Sequence, residues 1–374
     1  MLQKLMEGTD RNYITLDDLN DRQLAQNDPE IFFQLHKPPV LIDEVQYAPE
    51  LFSYIKILIG KNKKPGEFWL TGSQTFDLMK LAGESLAGRV AVLHMPSLSQ
   101  KEVYGSGENQ PFVINIDALQ ERKKNRLPAD TPEIYQRIFN GSMPALVSGK
   151  YSNKNIFYSS YLQTYIERDV KELSGAIDSI KFMNFITAVA TRCSQMLVIS
   201  DIARDVDIHP NLAKSWLGIL EASDIIFYLH PYSNNQLKRT IKTPKLYFFD
   251  TGLVSYLAKW SSPETLQYGA MSGAILENYT VSEIMKSYYN AAREPFFYYY
   301  RDKDTKEIDL ILESDGMLSP IEIKRAASPG TELVNTFKVL DKGSVSRGKG
   351  AVLCMKGELS AIDGQNLIVP IWMI

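Results

Sequence analysis

Cysteine and histidine are scarce in this chain, with two cysteines, Cys193 and Cys354, and four histidines among 374 residues. The two thiols lie far apart without a partner motif. That argues against a disulfide framework and for buried thiols in a reducing cytoplasm. No histidines have the spacing of a zinc site. No apolar run approaches the ~18 residues of a membrane span, and the opening residues do not read as a secretory signal. The expectation is a cytoplasmic chain with no membrane contact. Charge of one sign is missing as well: the formal net charge is −3. No global basic field announces nucleic acid, so any such contact must be local. What is present is ordinary for a globular protein, 44% hydrophobic and 23% charged, and the length allows two or three separate cores.

The stretch Pro38–Gln46 organises the first part of the chain. Val40-Leu41-Ile42 runs straight into Asp43-Glu44, the pattern of a buried parallel strand whose carboxyl end opens onto a phosphate-and-metal site. In a P-loop nucleotidase the first such carboxylate, here Asp43, holds Mg²⁺ through water, and the second, Glu44, polarises the attacking water. A buried strand ending in a charged turn would produce the same letters. Phe68-Trp69-Leu70 is a second apolar strand and leads into Thr71-Gly72-Ser73-Gln74, a polar strand end that suits Ser73 as a γ-phosphate sensor. A strand over 11–16 and helices over 29–36 and 49–58 alternate with these, which predicts a parallel sheet. A last strand of that sheet is expected over 90–96.

Further along, Asp201–Val206 (with Ser200 as N-cap) and the helix after Pro210, with Leu212, Ala213, Trp216, Leu217 and Leu220 inward, are joined by a tight turn. Strands over 225–229 and 245–249 follow, the order of a winged helix-turn-helix. Its wing carries Lys238, Arg239, Lys242 and Lys245. These four cations suit DNA phosphates without reading sequence. The other reading is a lid packed between domains. In the last third, a helix over 273–289 puts Glu277 on the stripe that faces a sheet, where a carboxylate needs a metal or cation as partner. Strands over 296–301, 306–312 and 318–324 come next. The alternation sets Ile308, Leu310 and Leu312 against Glu307, Asp309 and Ile311, and Ile321 and Ile323 against Glu322 and Lys324. A helix over 331–340 and an edge strand over 367–374 complete the expected elements.

Leu41-Ile42-Asp43-Glu44-Val45-Gln46, Leu70-Thr71-Gly72-Ser73-Gln74 and Leu86-Ala87-Gly88-Arg89 together resemble a bacterial and archaeal family of AAA-type ATPases. In that family an ATPase core is followed by a winged helix and a nuclease-like domain, and the resemblance covers essentially the whole chain. It implies an α/β protein made of an incomplete P-loop NTPase-type parallel sheet (1–133), a helical lid (134–180), a winged helix-turn-helix (181–260) and a restriction-endonuclease-like α/β domain (261–374). It implies a nucleotide contact for Arg89, with a structural salt bridge as the alternative. Asp309 followed thirteen residues later by Glu322-x-Lys324, with Glu277 on the preceding helix, resembles the PD-(D/E)xK nucleases. That resemblance implies one or two Mg²⁺ or Mn²⁺ ions on Asp309 and Glu322, Lys324 stabilising the nucleophile or phosphate charge, and Glu277 completing the ligand sphere.

The implied activity is ATP- and Mg²⁺-dependent processing of DNA with metal-dependent cleavage. The alternative is a nucleotide-switched module that binds DNA or a protein partner on a degenerate nuclease fold. One departure stands out. The family's phosphate-binding Gly-x-x-x-x-Gly-Lys-Ser/Thr loop precedes the acidic strand, and residues 1–42 supply no Gly-Lys-Ser/Thr. Met1–Met6 reads as the helix that follows such a loop. The expectation is an amino-terminally truncated member that binds ATP weakly, because Asp43 and Glu44 cannot replace the loop's N–H groups and lysine.

Overall fold

A computed structural model describes every residue except Met1, Lys63, 73–77, 79–81, 106–109, 166–169, 171–177, 234–242 and 304–305. The chain divides into two compact units, Met1–Val92 and Leu93–Ile374. Among the described residues no helix is long and apolar enough to cross a membrane.

The first unit runs α1 (Leu2–Met6), β1 (Asn12–Thr15), α2 (Leu19–Asn27), α3 (Pro29–Leu35), β2 (Val40–Asp43), α4 (Glu50–Asn62) and β3 (Phe68–Leu70). Helices begin where the sequence supplies an acceptor. Asp18 takes the N–H groups of Asn20 and Asp21, and Asp28 takes that of Ile31 with Pro29 opening α3. The three strands are parallel in the order β1-β2-β3. Val40 and Ile42 enter a core with Phe32, Leu51 and Ile55, while Leu41 is also buried, which is why β2 reads as an unbroken apolar run. The strand expected over 90–96 is not formed.

The second unit opens with α5 (Gln100–Tyr104), α6 (Ile116–Lys124), α7 (Thr131–Asn140), α8 (Pro144–Val147) and α9 (Lys154–Tyr165). Next come α10 (Ser179–Ala190), α11 (Ile199–Asp205), α12 (Pro210–Ala222), β4 (Ile226–Pro231) and β5 (Lys245–Phe248). The helices α13 (Thr251–Leu257), α14 (Pro263–Tyr268) and α15 (Ser272–Asn290) lead to β6 (Phe297–Arg301), β7 (Glu307–Ser314) and β8 (Met317–Lys324). A 3₁₀ segment (Thr331–Lys342), β9 (Ser346–Arg347), β10 (Gly350–Cys354), β11 (Ser360–Ala361) and β12 (Asn366–Pro370) close the chain. The strands join in the order β11-β12-β10-β8-β7-β6-β4-β5, with β9 beside β8. On one face Leu310, Ile321, Leu353 and Val369 pack with Val281 and Ile284 of α15. On the other, Val352, Cys354 and Ile368 pack with Val334 and Phe337 of the 3₁₀ segment. The alternation of Ala351-Val352-Leu353-Cys354 between the two cores follows from the period-2 pleat.

Several expectations change here. The helix pair and hairpin of the anticipated winged helix are formed, but β4 also pairs in parallel with β6 through His230 and Pro231, so the hairpin extends the main sheet. Val198, not Ser200, is the N-cap of α11, and Leu212 is exposed while Ile219 is buried. The segment 331–342 is 3₁₀. β12 is interior, because the two-residue β11 covers Leu367 and Ile368. Pro370 lies beyond that cover, where its missing N–H costs no ladder bond.

A buried carboxylate joins the helices of this unit. Asp250 caps α13 by accepting the Leu253 N–H (2.8 Å), and it also accepts the Tyr158 hydroxyl (2.6 Å) and the Ser142 N–H (2.8 Å). Glycine is required beside it: a Cβ on Gly252 would lie 2.3 Å from the Tyr158 hydroxyl, 2.6 Å from the Asn140 carbonyl and 2.7 Å from the Gly141 Cα. Gly252→Ala is expected to cost about 1–3 kcal/mol, as overpacking does. Gly218→Ala, in mid-helix with nothing within 4 Å of its Cβ, is expected to be neutral or to stabilise by up to about 1 kcal/mol. Urea melts of the two variants check the contrast, and equal effects would contradict it.

Candidate functional site

The carboxylates picked out in the last third of the chain meet where the β7–β8 ladder ends. Backbone pairing between these strands runs from Ser314–Met317 to Leu310–Ile321 and stops. Beyond it, the Ile323 N–H donates to Asp309 Oδ2 (2.8 Å) instead of to β7 backbone. A bulge aims Asp309. Tyr298 and Tyr300 of β6 stand opposite Ile311 and Ile308, so two steps on β6 face three on β7. The extra residue breaks the simple alternation expected for 307–312: Ile308 and Ile311 enter one core, Leu310 and Leu312 the other.

Glu322 and Lys324 share a face of β8, as the pleat requires, and Lys324 Nζ lies 2.5 Å from Glu322 Oε1 and 3.8 Å from Asp309 Oδ2. Asp309 and Glu322 are both buried, whereas the Lys324 side chain keeps 38% of its surface exposed. The other oxygen of Glu322, Oε2, is buried with no hydrogen-bond partner.

Glu277, on α15, has different company. Its Oε1 accepts the Tyr247 hydroxyl (2.7 Å) and the Lys245 ammonium (2.9 Å). The ammonium also pairs with Glu307 at 2.5 Å, and Arg301 reaches the far oxygen of Glu307 at 3.4 Å. Lys245 is 3% exposed. It is therefore not a wing cation open to phosphate: the start of β5 turns it inward onto two carboxylates. Lys238, Arg239 and Lys242 lie outside the described residues.

The electrostatics follow from this packing. Burial pushes both Glu277 and Glu322 up to about 7, and the charge of Asp309 adds to each; the neighbouring lysines oppose the rise. Burial also raises Asp309, against Lys245, Lys324 and the Ile323 N–H. Burial alone would lower Lys245, but Glu277, Asp309 and Glu307 outweigh it and hold the ammonium above its ordinary value. Lys324 is raised by Asp309 and Glu322 in the same way. Among the described residues no group of three or more His, Cys, Asp or Glu side chains is arranged to hold a metal ion. Glu277 is committed to Lys245 and Tyr247. Asp309 and Glu322 remain as hard oxygen donors, and the unpartnered Glu322 oxygen fits a divalent cation of the kind that takes one or two carboxylates and completes its shell with water and phosphate.

In the first unit the strand ends align as a parallel sheet requires. The Thr71 hydroxyl donates to Asp43 Oδ1 and the Tyr13 hydroxyl to Asp43 Oδ2 (3.1 Å). Glu44 takes the left-handed conformation at φ 56°, uncommon away from glycine, and accepts the Gln46 amide. A Cβ on Gly72 would lie 2.0 Å from Gln46 Oε1, so glycine here leaves room for the Gln46 side chain as placed. Arg89 is exposed, and Ser73 lies outside the described residues. Sequence reasoning missed Glu307 and Tyr247. Glu307 was within reach, since it stands two residues before Asp309 on one strand and so shares its face before the bulge; nothing pointed to Tyr247.

Residues 1–104 match an AAA domain, residues 131–264 a domain of unknown function (DUF8612), and residues 272–374 another domain of unknown function (DUF4143). The first and last matches support an AAA-type ATPase-like family. Uncharacterized proteins of Mycobacterium bovis and Mycobacterium tuberculosis are each 27% identical over 290 residues, covering 78% of this chain. The chain spans 59% of the length of these relatives.

The raised glutamates carry a pH signature. Their folded values near 7 exceed the free value of 4.5. Their contribution to stability is thus complete below the free value and is lost as pH rises through the folded one. The melting temperature of the metal-free protein is expected to fall between about pH 5 and about pH 8, and Glu322→Gln to flatten that fall. Melts across this range check it, and an unchanged slope in the variant would contradict it.

Proposed function

We propose that the second unit cleaves phosphodiester bonds in DNA with a divalent cation bound by Asp309 and Glu322. The observation that supports it best is the pairing of these buried carboxylates at the open end of the β7–β8 ladder, with one Glu322 oxygen left without a partner. The cation, Mg²⁺ or Mn²⁺, would supply Lewis-acid stabilisation of a phosphoryl oxygen. Asp309, fixed by the Ile323 N–H, and Glu322 would hold it. Lys324, half-exposed and already drawn to both carboxylates, would place its ammonium against the phosphate as charge develops there. Glu277 has a supporting role in this reading, because it anchors Lys245 and cannot serve as a ligand while that ion pair stands.

The first unit would carry the nucleotide function that its AAA match suggests, with Asp43 near Mg²⁺, Glu44 near the attacking water, and Ser73 and Arg89 at the phosphates. Residues 1–42 contain no Gly-x-x-x-x-Gly-Lys-Ser/Thr, the loop whose N–H groups and lysine cradle the phosphates of ATP. A cytoplasmic setting, contact with DNA through Lys238, Arg239 and Lys242, and a protein partner belong to the same reading.

A second reading has its own support. Lys245 and Lys324 already neutralise much of the carboxylate charge, as they would in a non-catalytic platform for DNA or a protein. Incubation of plasmid and linear DNA with the purified chain and Mg²⁺ or Mn²⁺ separates the two. Cleavage is expected in the wild type, with losses of about a hundredfold or more in Asp309→Asn, Glu322→Gln and Lys324→Met. Wild-type protein that cuts neither substrate with either cation would leave the platform reading.

A further inference from the structure

A cleft of about 300 Å³ opens in the second unit, away from Asp309 and Glu322 in the residues that form it. Arg126, Arg137 and Lys124 line it together with Gln100, Asn125 and Tyr104. Three cations thus border one cleft. Among the described residues neither Arg126 nor Arg137 forms an ion pair, and Lys124 meets only the exposed Glu121 at 3.4 Å. Glu283, whose charge reaches Arg126, has both oxygens engaged. Its Oε2 accepts the Gln100 N–H (2.7 Å) and its Oε1 the Lys286 ammonium (3.0 Å).

Arg126 Nη1 is buried and has no hydrogen-bond partner. Leaving such a donor unsatisfied costs about 1–3 kcal/mol, more when it is charged. Burial lowers the pKa of Arg126 from its ordinary value, Glu283 and Tyr279 oppose that fall, and the charge of Arg137 adds a smaller push downward. Arg137 lies over the Tyr104 ring, 4.9 Å from its centroid, which holds its planar fork in place. The two guanidiniums share the cleft with no carboxylate ion-paired to either among the described residues. An anion in the cleft would give acceptors to the guanidinium and ammonium N–H donors that line it.

We propose that this cleft binds a phosphomonoester or polyphosphate group, with Arg126 and Arg137 forking onto its oxygens and Lys124 adding charge at the mouth. Guanidinium matches the spacing of phosphate oxygens with paired N–H donors. Three cations suit the charge of a terminal phosphate better than that of a single carboxylate. The group could be carried by a free nucleotide or by the end of a nucleic acid strand; the chemistry that recognises it is the same.

Calorimetric titration of the full chain with inorganic pyrophosphate, in metal-free buffer, tests the proposal. Saturable binding is expected, weakened about tenfold or more in Arg126→Met and in Arg137→Met. The melting temperature of Arg126→Met without ligand supplies an independent readout. Methionine removes the unsatisfied donor while keeping the stem, so this variant is expected to melt at or above the wild type. Competition with ADP and with a 5′-phosphorylated tetranucleotide then tells the two sources apart, and displacement by either supports a phosphate ester. Absence of saturable binding, binding unchanged in both variants, displacement by neither competitor, or an Arg126→Met protein that melts lower yet still binds pyrophosphate would each overturn the proposal.

Discussion

The buried ion pair of Lys245 with Glu277 and Glu307 is the constraint on which the rest of the second unit depends. It links three segments distant in sequence: the start of β5, the second turn of α15 and the start of β7. Burying an ammonium costs several kcal/mol, and only close, well-bonded carboxylates offset it. Here two carboxylates do so, helped by the Tyr247 hydroxyl on Glu277 and by the face of Tyr299, 5.6 Å from the ammonium. The hairpin of β4 and β5 is thereby locked to the sheet and helix that carry the other acidic residues.

That lock divides the acidic residues by role. Glu277 and Glu307 are held by cations of the scaffold, and their geometry is set by Lys245 and Arg301. Asp309 and Glu322 share only Lys324, whose side chain remains partly in solvent. The bulge in β7 and the early end of its ladder with β8 give Asp309 a backbone donor, the Ile323 N–H. Here the bulge and the end of the β7–β8 ladder fall together. The first unit repeats the theme more simply: Asp43 and Glu44 end a buried parallel strand, and hydroxyls from both flanking segments fix Asp43.

Much of this was legible in the residues. Apolar runs ending in polar clusters located β2, β3 and most of the strands of the second unit. Helix starts were less legible: Asp18, Asp28 and Asp250 cap helices without having been singled out, and Ser200, the cap read from the sequence, lies inside α11. The proximity of Asp309, Glu322 and Lys324 followed from strand order and the pleat. Lys245 was misjudged because position within a wing-like basic run says nothing about which way the first residue of a strand points. Its partner lies 32 residues on, in α15. The bulge at Asp309 was equally hidden, since an extra residue in one strand shows only against the register of its neighbour. A strand over 90–96 failed for the opposite reason. Its β-favouring residues are there, but Val90, Val92, Leu93 and Met95 find no strand to pair with and remain exposed.

The division between Glu277 as scaffold and Asp309 with Glu322 as the cation-binding pair is tested most directly by melting the wild type, Glu277→Gln and Glu322→Gln across a titration of Mn²⁺. A cation that binds only the folded state raises the melting temperature by mass action. Glu322→Gln is predicted to abolish that rise while melting no lower than the wild type without metal, because it also removes a carboxylate that burial destabilises when charged. Glu277→Gln is predicted to melt lower without metal, because it weakens a buried ion pair, and to keep the rise. Loss of the Mn²⁺ response in Glu277→Gln with its retention in Glu322→Gln would contradict the assignment.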